Sequence, residues 1–223
     1  MMGGAGGGND GARPQLVWDA PIRLFHWLLV LAILALFVTA NLGGNWMEWH
    51  KRSGYFVIGL LIFRLIWGVG GGYHARFINF VRGPRSVWAY VRGNIADTGG
   101  HNPLGALSVL AMLAVLTIQV GTGLFSNDDI VLEGPYARMV SKEVSDFLTR
   151  IHHINSKVMI GLIVLHLLAI GYYFFGKKSN LVKPMLTGRK MLATEMPHTS
   201  RPPWFAVMVI LVAAGSVYLM VGR

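Results

Sequence analysis

His152 and His166 stand fourteen residues apart in one apolar run, and His26 and His50 stand near the starts of two earlier ones. An α-helix turns about 100° per residue, so fourteen steps return a side chain to within about 40° of the same face, roughly 21 Å along the axis. One helix can therefore present two imidazoles at two depths. His153, thirteen steps from His166, points to nearly the opposite face, so His152 is the better candidate of that adjacent pair. Imidazole nitrogen is a good axial ligand for haem iron, and two imidazoles on one iron leave no open position for oxygen chemistry. The pattern suits two stacked haems that carry electrons.

The elements that must position these residues follow from composition. Of 223 residues, 53% are hydrophobic and only 13% charged, which is too apolar for a soluble domain of this size and points to an integral membrane protein. Five runs approach the length needed to cross about 30 Å of hydrocarbon: Ile22 to Ala40, Gly54 to Val69, Leu104 to Phe125, Ile154 to Phe175, and Trp204 to Val221. The second is the shortest, and a start near Trp46 would draw His50 into its helix. The runs are continuous in polarity, not alternating with period two, which argues against a β-barrel. The first is longer than a signal-peptide core and follows a long amino-terminal segment, so it is expected to remain as a span. Several tryptophans, among them Trp46, Trp49 and Trp204, fall near span ends, where an amphipathic ring sits at the headgroup level.

The net charge of +10 does not form a nucleic-acid-binding stripe, because the basic residues are confined to particular loops. Arg76, Arg82, Arg85 and Arg92 lie between spans two and three. Lys177, Lys178, Lys183, Arg189, Lys190 and Arg201 lie between spans four and five. The positive-inside rule makes both loops cytoplasmic, with the amino terminus inside and the carboxyl terminus outside. In that orientation His26 and His166 share the cytoplasmic half, while His50 and His152 share the periplasmic half. Two bis-histidine sites at different depths follow from the topology. There is no cysteine, which excludes disulfides, thiolate-held iron-sulfur clusters and covalent haem attachment.

Other residues take supporting roles. Arg64 is a charge inside a span, fourteen residues after His50 and therefore on its face at the depth of the inner pair. A haem propionate is one partner for it, and snorkelling to the inner surface is the alternative. Gln119, with Gly105, Ser108, Gly121 and Gly123, offers small and polar surface on span three, which close helix packing also explains. His74, His101, His153 and His198 fall in loops or off the ligand face, as solvated or supporting residues. Between Ser126 and Ile151, the apolar residues Val140, Val144, Phe147, Leu148 and Ile151 recur at helical spacing, which predicts a surface helix lying against the bundle.

Four stretches carry a family resemblance: Arg23-Leu-Phe-His26-Trp27; His50-x-x-Ser-Gly54 with Arg64 downstream; His101-Asn-Pro-Leu-Gly105 through Gln119 and Gly123-Leu-Phe125; and Ile151-His152 through Leu165-His166. Their order and spacing over Val17 to Phe175 resemble the bacterial cytochrome b561 proteins and the related b-type cytochrome subunit of nickel-iron hydrogenases. The resemblance implies two b-type haems on His26, His50, His152 and His166 within a four-helix core, passing electrons between the quinone pool and a redox partner. A fifth span from Trp204 is additional to the four-span pattern.

The expected fold is an all-α integral membrane bundle, with a four-helix haem-binding core and a fifth carboxyl-terminal transmembrane helix. Residues 1–16 are expected as a disordered cytoplasmic tail, 17–178 as the dihaem membrane domain, 179–203 as a cytoplasmic basic loop and 204–223 as the fifth span. The expected location is the bacterial inner membrane. The expected partners are lipid, a quinone, and a periplasmic hydrogenase, other dehydrogenase or c-type cytochrome, with no nucleic acid. Two rival readings are a stand-alone superoxide:quinone oxidoreductase and a haem or metal-ion transporter. The latter would usually place carboxylates or thiols inside its spans, and this chain has almost none there.

Overall fold

Capping residues and prolines fix where the helices begin. In the computed structural model, which describes residues 12–93, 100–129, 132–192 and 194–222, Asp19 caps α1 (Ala20–Leu42) by accepting the Ile22 amide at 3.0 Å. The helix stops at Gly43, whose φ of 64° is open to glycine and strained for other residues. Helix α2 (Trp46–Gly70) follows almost at once. Two short helices, α3 (Phe77–Phe80) and α4 (Pro84–Val91), occupy the basic connection beyond it. Asn102 caps α5 (Pro103–Gly123) at the Gly105 amide, 2.7 Å away, and Ser141 caps α6 (Lys142–Phe175). After α7 (Val182–Thr187), α8 (Pro203–Val221) closes the chain.

Five of these helices, α1, α2, α5, α6 and α8, are long and apolar enough to cross a membrane. The expected bundle with a fifth span is therefore the observed fold. Helix α2 starts at Trp46, which brings His50 into its second turn. Helix α6 has 34 residues, about 51 Å at 1.5 Å per residue, and outruns the hydrocarbon. The surface helix expected before Ile151 is instead the first part of α6. With Ser141 as cap and no proline from Lys142 to Phe175, nothing breaks the helix where the bilayer ends.

The segment expected to be unstructured to residue 16 also differs. Arg13–Leu16 forms β1, antiparallel to β2 (Arg189–Leu192), with Arg13 opposite Leu192 and Leu16 opposite Arg189. Residues 1–11 of that expected tail lie outside the described residues. The loop 179–203 thus contains α7 and β2, because Gly188 turns the chain at φ 82° and its carbonyl accepts the amides of Val17 and Trp18. Composition reported the charge of these segments, while the pairing depends on partners more than 170 positions apart.

The helices pack as neighbours α1 on α2, α5 on α6, α2 on α5 and α8 on α2. Two layers fill the interior. One joins Trp18, Phe25, Phe63, Trp67, Val209 and Ala213, bringing α8 against α1 and α2. The other joins Ala32, Val57, Leu61, Leu116 and Met159, one or two from each of α1, α2, α5 and α6. Met159 is midway along α6 between His152 and His166, so this aliphatic layer separates the two histidine levels.

Candidate functional site

The level that the expected topology turns towards the periplasm, the outer level, brings α2 and α6 together through their histidines. The His50 and His152 rings stand 6.3 Å apart between centroids with planes at 77°. His50 Nδ1 lies 2.9 Å from the Leu36 carbonyl of α1, and His152 Nδ1 lies 2.9 Å from the Gln119 carbonyl of α5. A carbonyl can only accept, so both Nδ1 atoms carry the proton and both Nε2 atoms keep a lone pair. Gly123 leaves room for this arrangement, because a β-carbon there would meet His152 Cε1 at 3.0 Å.

Gln119 and Asn155 complete the outer level. The Gln119 amide donates to His152 Nε2 at 3.1 Å, and buried Asn155 donates to Gln119 Oε1 at 2.7 Å and to the Val115 carbonyl at 2.9 Å. The Gln119 side chain and an axial metal would therefore use the same imidazole lone pair. Asn155 carries no signal in the sequence beyond being a polar residue three positions after His152 in an apolar run. His153 is exposed, beside a cleft of about 460 Å³ that also contacts Asp129, Asp146, Arg150 and Lys157.

The inner level lies across α1 and α6. His26 and His166 are near enough to interact electrostatically, and His26 Nδ1 is buried with no hydrogen-bond partner among the described residues. Helices α1 and α6 are not among the closely packed pairs, so the two histidines stand on helices that are not in close contact. The start of α1 is held by α7: Trp27 donates to the Met185 carbonyl at 3.3 Å and Arg23 to the Leu186 carbonyl.

Arg64 is 3% exposed. It donates to the Ala75 carbonyl at 3.2 Å and lies 4.4 Å over the Phe77 ring, with Asp19 as its electrostatic counterpart. Close by are two loop histidines for which the sequence predicts solvated or supporting roles. His74 is buried, and the His101 ring lies between Trp18 at 4.6 Å and Phe80 at 4.7 Å. Burial, then the Arg64 charge, pushes the His101 imidazole down to about 3; burial, then His198, lowers that of His74. Neighbouring aromatic residues far off in sequence bury them, which no local pattern announces.

These residues fit a haem. Two imidazoles each about 2 Å from a shared metal stand with ring centres about 6 Å apart, close to the outer pair as found. An Nδ1–H held by a carbonyl is the usual support of a metal-bound histidine. The buried, unpartnered His26 Nδ1 marks a second polar position in the apolar interior.

An apolar multi-span bundle with imidazoles opposed in its interior, in a chain without a thiol, defines a membrane b-type cytochrome, which holds its haem by side chains alone. The chain belongs to the prokaryotic cytochrome b561 family, whose model matches residues 17–188. It is similar to the probable Ni/Fe-hydrogenase B-type cytochrome subunit of Azotobacter chroococcum, at 22% identity over 86% of this chain and 96% of that protein. Proteins so described from Azotobacter vinelandii and Escherichia coli K12 are 27% and 26% identical, over 49% and 53% of this chain and 59% and 63% of theirs. The family makes haem b the cofactor and electron transfer the role.

Proposed function

We infer that this chain is a dihaem electron carrier of the bacterial inner membrane, with one haem b between His50 and His152 and a second between His26 and His166. It exchanges electrons between the quinone pool and a redox protein at the periplasmic face. The observation that carries the reading is the outer pair: two imidazoles 6.3 Å apart, each with its Nδ1 on a carbonyl of a neighbouring helix. Haem b in these positions supplies a one-electron ferric-ferrous couple. Paired imidazoles would hold the iron and leave no open position on it, which would direct the site to electron transfer. The aliphatic layer around Val57 and Met159 fills the space between the two levels with apolar side chains. Arg64, buried against the Ala75 carbonyl, the Phe77 ring and Asp19, holds a positive charge that would favour a propionate brought near it.

The names of the similar proteins support a nickel-iron hydrogenase as the periplasmic partner. The basic connections around α4 and α7 support an inward amino terminus and an outward carboxyl terminus. The test is purification in detergent with haem counted per chain and reduction followed by difference spectra. The expected result is about two haems b per chain, reducible by a soluble quinol or by hydrogen with the hydrogenase. A purified chain without haem overturns the reading.

A further inference from the structure

Each outer histidine is held in the same way. The carbonyls of Leu36 and Gln119, which receive the Nδ1–H of His50 and His152, each have a buried threonine three residues onward, Thr39 and Thr122. The Thr39 hydroxyl lies 3.2 Å from the Leu36 oxygen and 2.6 Å from that of Ala35. The Thr122 hydroxyl lies 3.1 Å from the Gln119 oxygen and 2.7 Å from that of Ile118. It is also 3.3 Å from His152 Nδ1 itself. Two helices thus present one arrangement to the two imidazoles that face each other.

Threonines in helices commonly bond back to their own backbone. Thr117, exposed on the same helix as Thr122, does so to Leu113 alone. What sets Thr39 and Thr122 apart is that their hydroxyls and an imidazole share one oxygen.

That sharing has an electronic consequence. An Nδ1–H bond to a carbonyl makes the imidazole a more basic ligand, which favours the oxidised metal. Each hydroxyl has one proton, shared between the nearer oxygen of Ala35 or Ile118 and the one that receives the imidazole; even a shared donor withdraws density from that second oxygen and weakens its hold on the Nδ1 proton. The imidazole then gives less density to the metal, and the reduced form gains. We propose that Thr39 and Thr122 are positioning residues that act through His50 and His152 to raise the reduction potential of the outer haem. This rests on the dihaem reading above and deepens it.

The test is a redox titration of the purified holoprotein, with haem absorbance as the readout, for Thr39→Val, Thr122→Val and the double variant. The expected result is an unchanged haem content and one of two titrating components moved to lower potential, the same component in both variants. The reduced-to-oxidised ratio of that component at fixed ambient potential should fall about threefold per variant, or roughly 28 mV at about 59 mV per tenfold for one electron. Thr→Ser variants, which keep the hydroxyl, should titrate like the natural protein. Thr→Cys variants, with a weaker donor, should fall between, and they provide the comparison if valine disturbs the helix. Two components that stay in place in the valine and cysteine variants overturn the proposal and leave the dihaem reading standing. A natural protein with no haem, or with one haem per chain by count, overturns both.

Discussion

The Asp19 carboxylate accepts a 3.0 Å hydrogen bond from the indole of Trp67, tying the start of α1 to the last turn of α2. Its other oxygen caps α1, and its charge faces buried Arg64. Asp19→Ala removes the cap and leaves the indole N–H of a residue 1% exposed without its acceptor. The expected loss is about 1 to 3 kcal/mol, read as a lower thermal midpoint in detergent. Asp19→Asn keeps both acceptor roles on one amide oxygen at best, so it should fall between the two.

The adjacent histidines of α6 separate ligand from bystander. His152→Ala should lower the haem content from about two to about one per chain, and His50→Ala should do the same. His153→Ala should leave it at two, because that side chain is exposed beside the outer cleft. Equal loss from both adjacent variants would remove His152 from the assignment.

Gly123 tests the space behind the outer imidazole. A β-carbon there meets His152 at 3.0 Å, and the two further methyl groups of valine meet it harder. Gly123→Val should lower the outer haem's occupancy while helix content by circular dichroism stays near the natural value. Full haem content in this variant would show that His152 does not need its observed place.

The loop histidines set an acid limit. His101 takes a proton near pH 6.5 in the unfolded chain but only near 3 in the folded one, and His74 is shifted in the same direction. Between those values the unfolded state binds more protons, so stability falls as the pH drops from about 6.5 towards 3 and is level above it. Thermal midpoints measured across this range should decline below about pH 6.5, and His101→Gln should flatten the decline.

Topology can be read with reporters fused to the chain. A periplasm-dependent phosphatase should be active after residue 222 and inactive within the loop that holds α7. The opposite pattern would reverse the inference drawn from the basic loops.

The five spans were legible because crossing hydrocarbon demands long apolar runs, and no other constraint writes so plain a pattern. The same-face relation of His152 and His166 followed from helix period alone. The start of α2 was legible only as an alternative, since Glu48, Lys51 and Arg52 interrupt its first turns; in the structure Lys51 and Arg52 each pair with Glu48 at 3.0 Å. The contacts of Asn155, Thr39 and Thr122 were hidden, because Asn155 reaches Val115 and Gln119 on another helix, and the carbonyls beside the two threonines receive imidazoles from other helices. The burial of His74 and His101 was hidden for the same reason, being the work of Trp18 and Phe80.

The ribbon of β1 with β2 imposes an order on biogenesis. Its first strand leaves the ribosome early, yet it has no mate until Leu192 has been made, by which time four of the five spans have been synthesised. Throughout that interval the end of the bundle nearest His26 lacks its clasp. A prosthetic group bound at that end would find it open while the nascent polypeptide is still growing, and the closing stitch comes only afterwards.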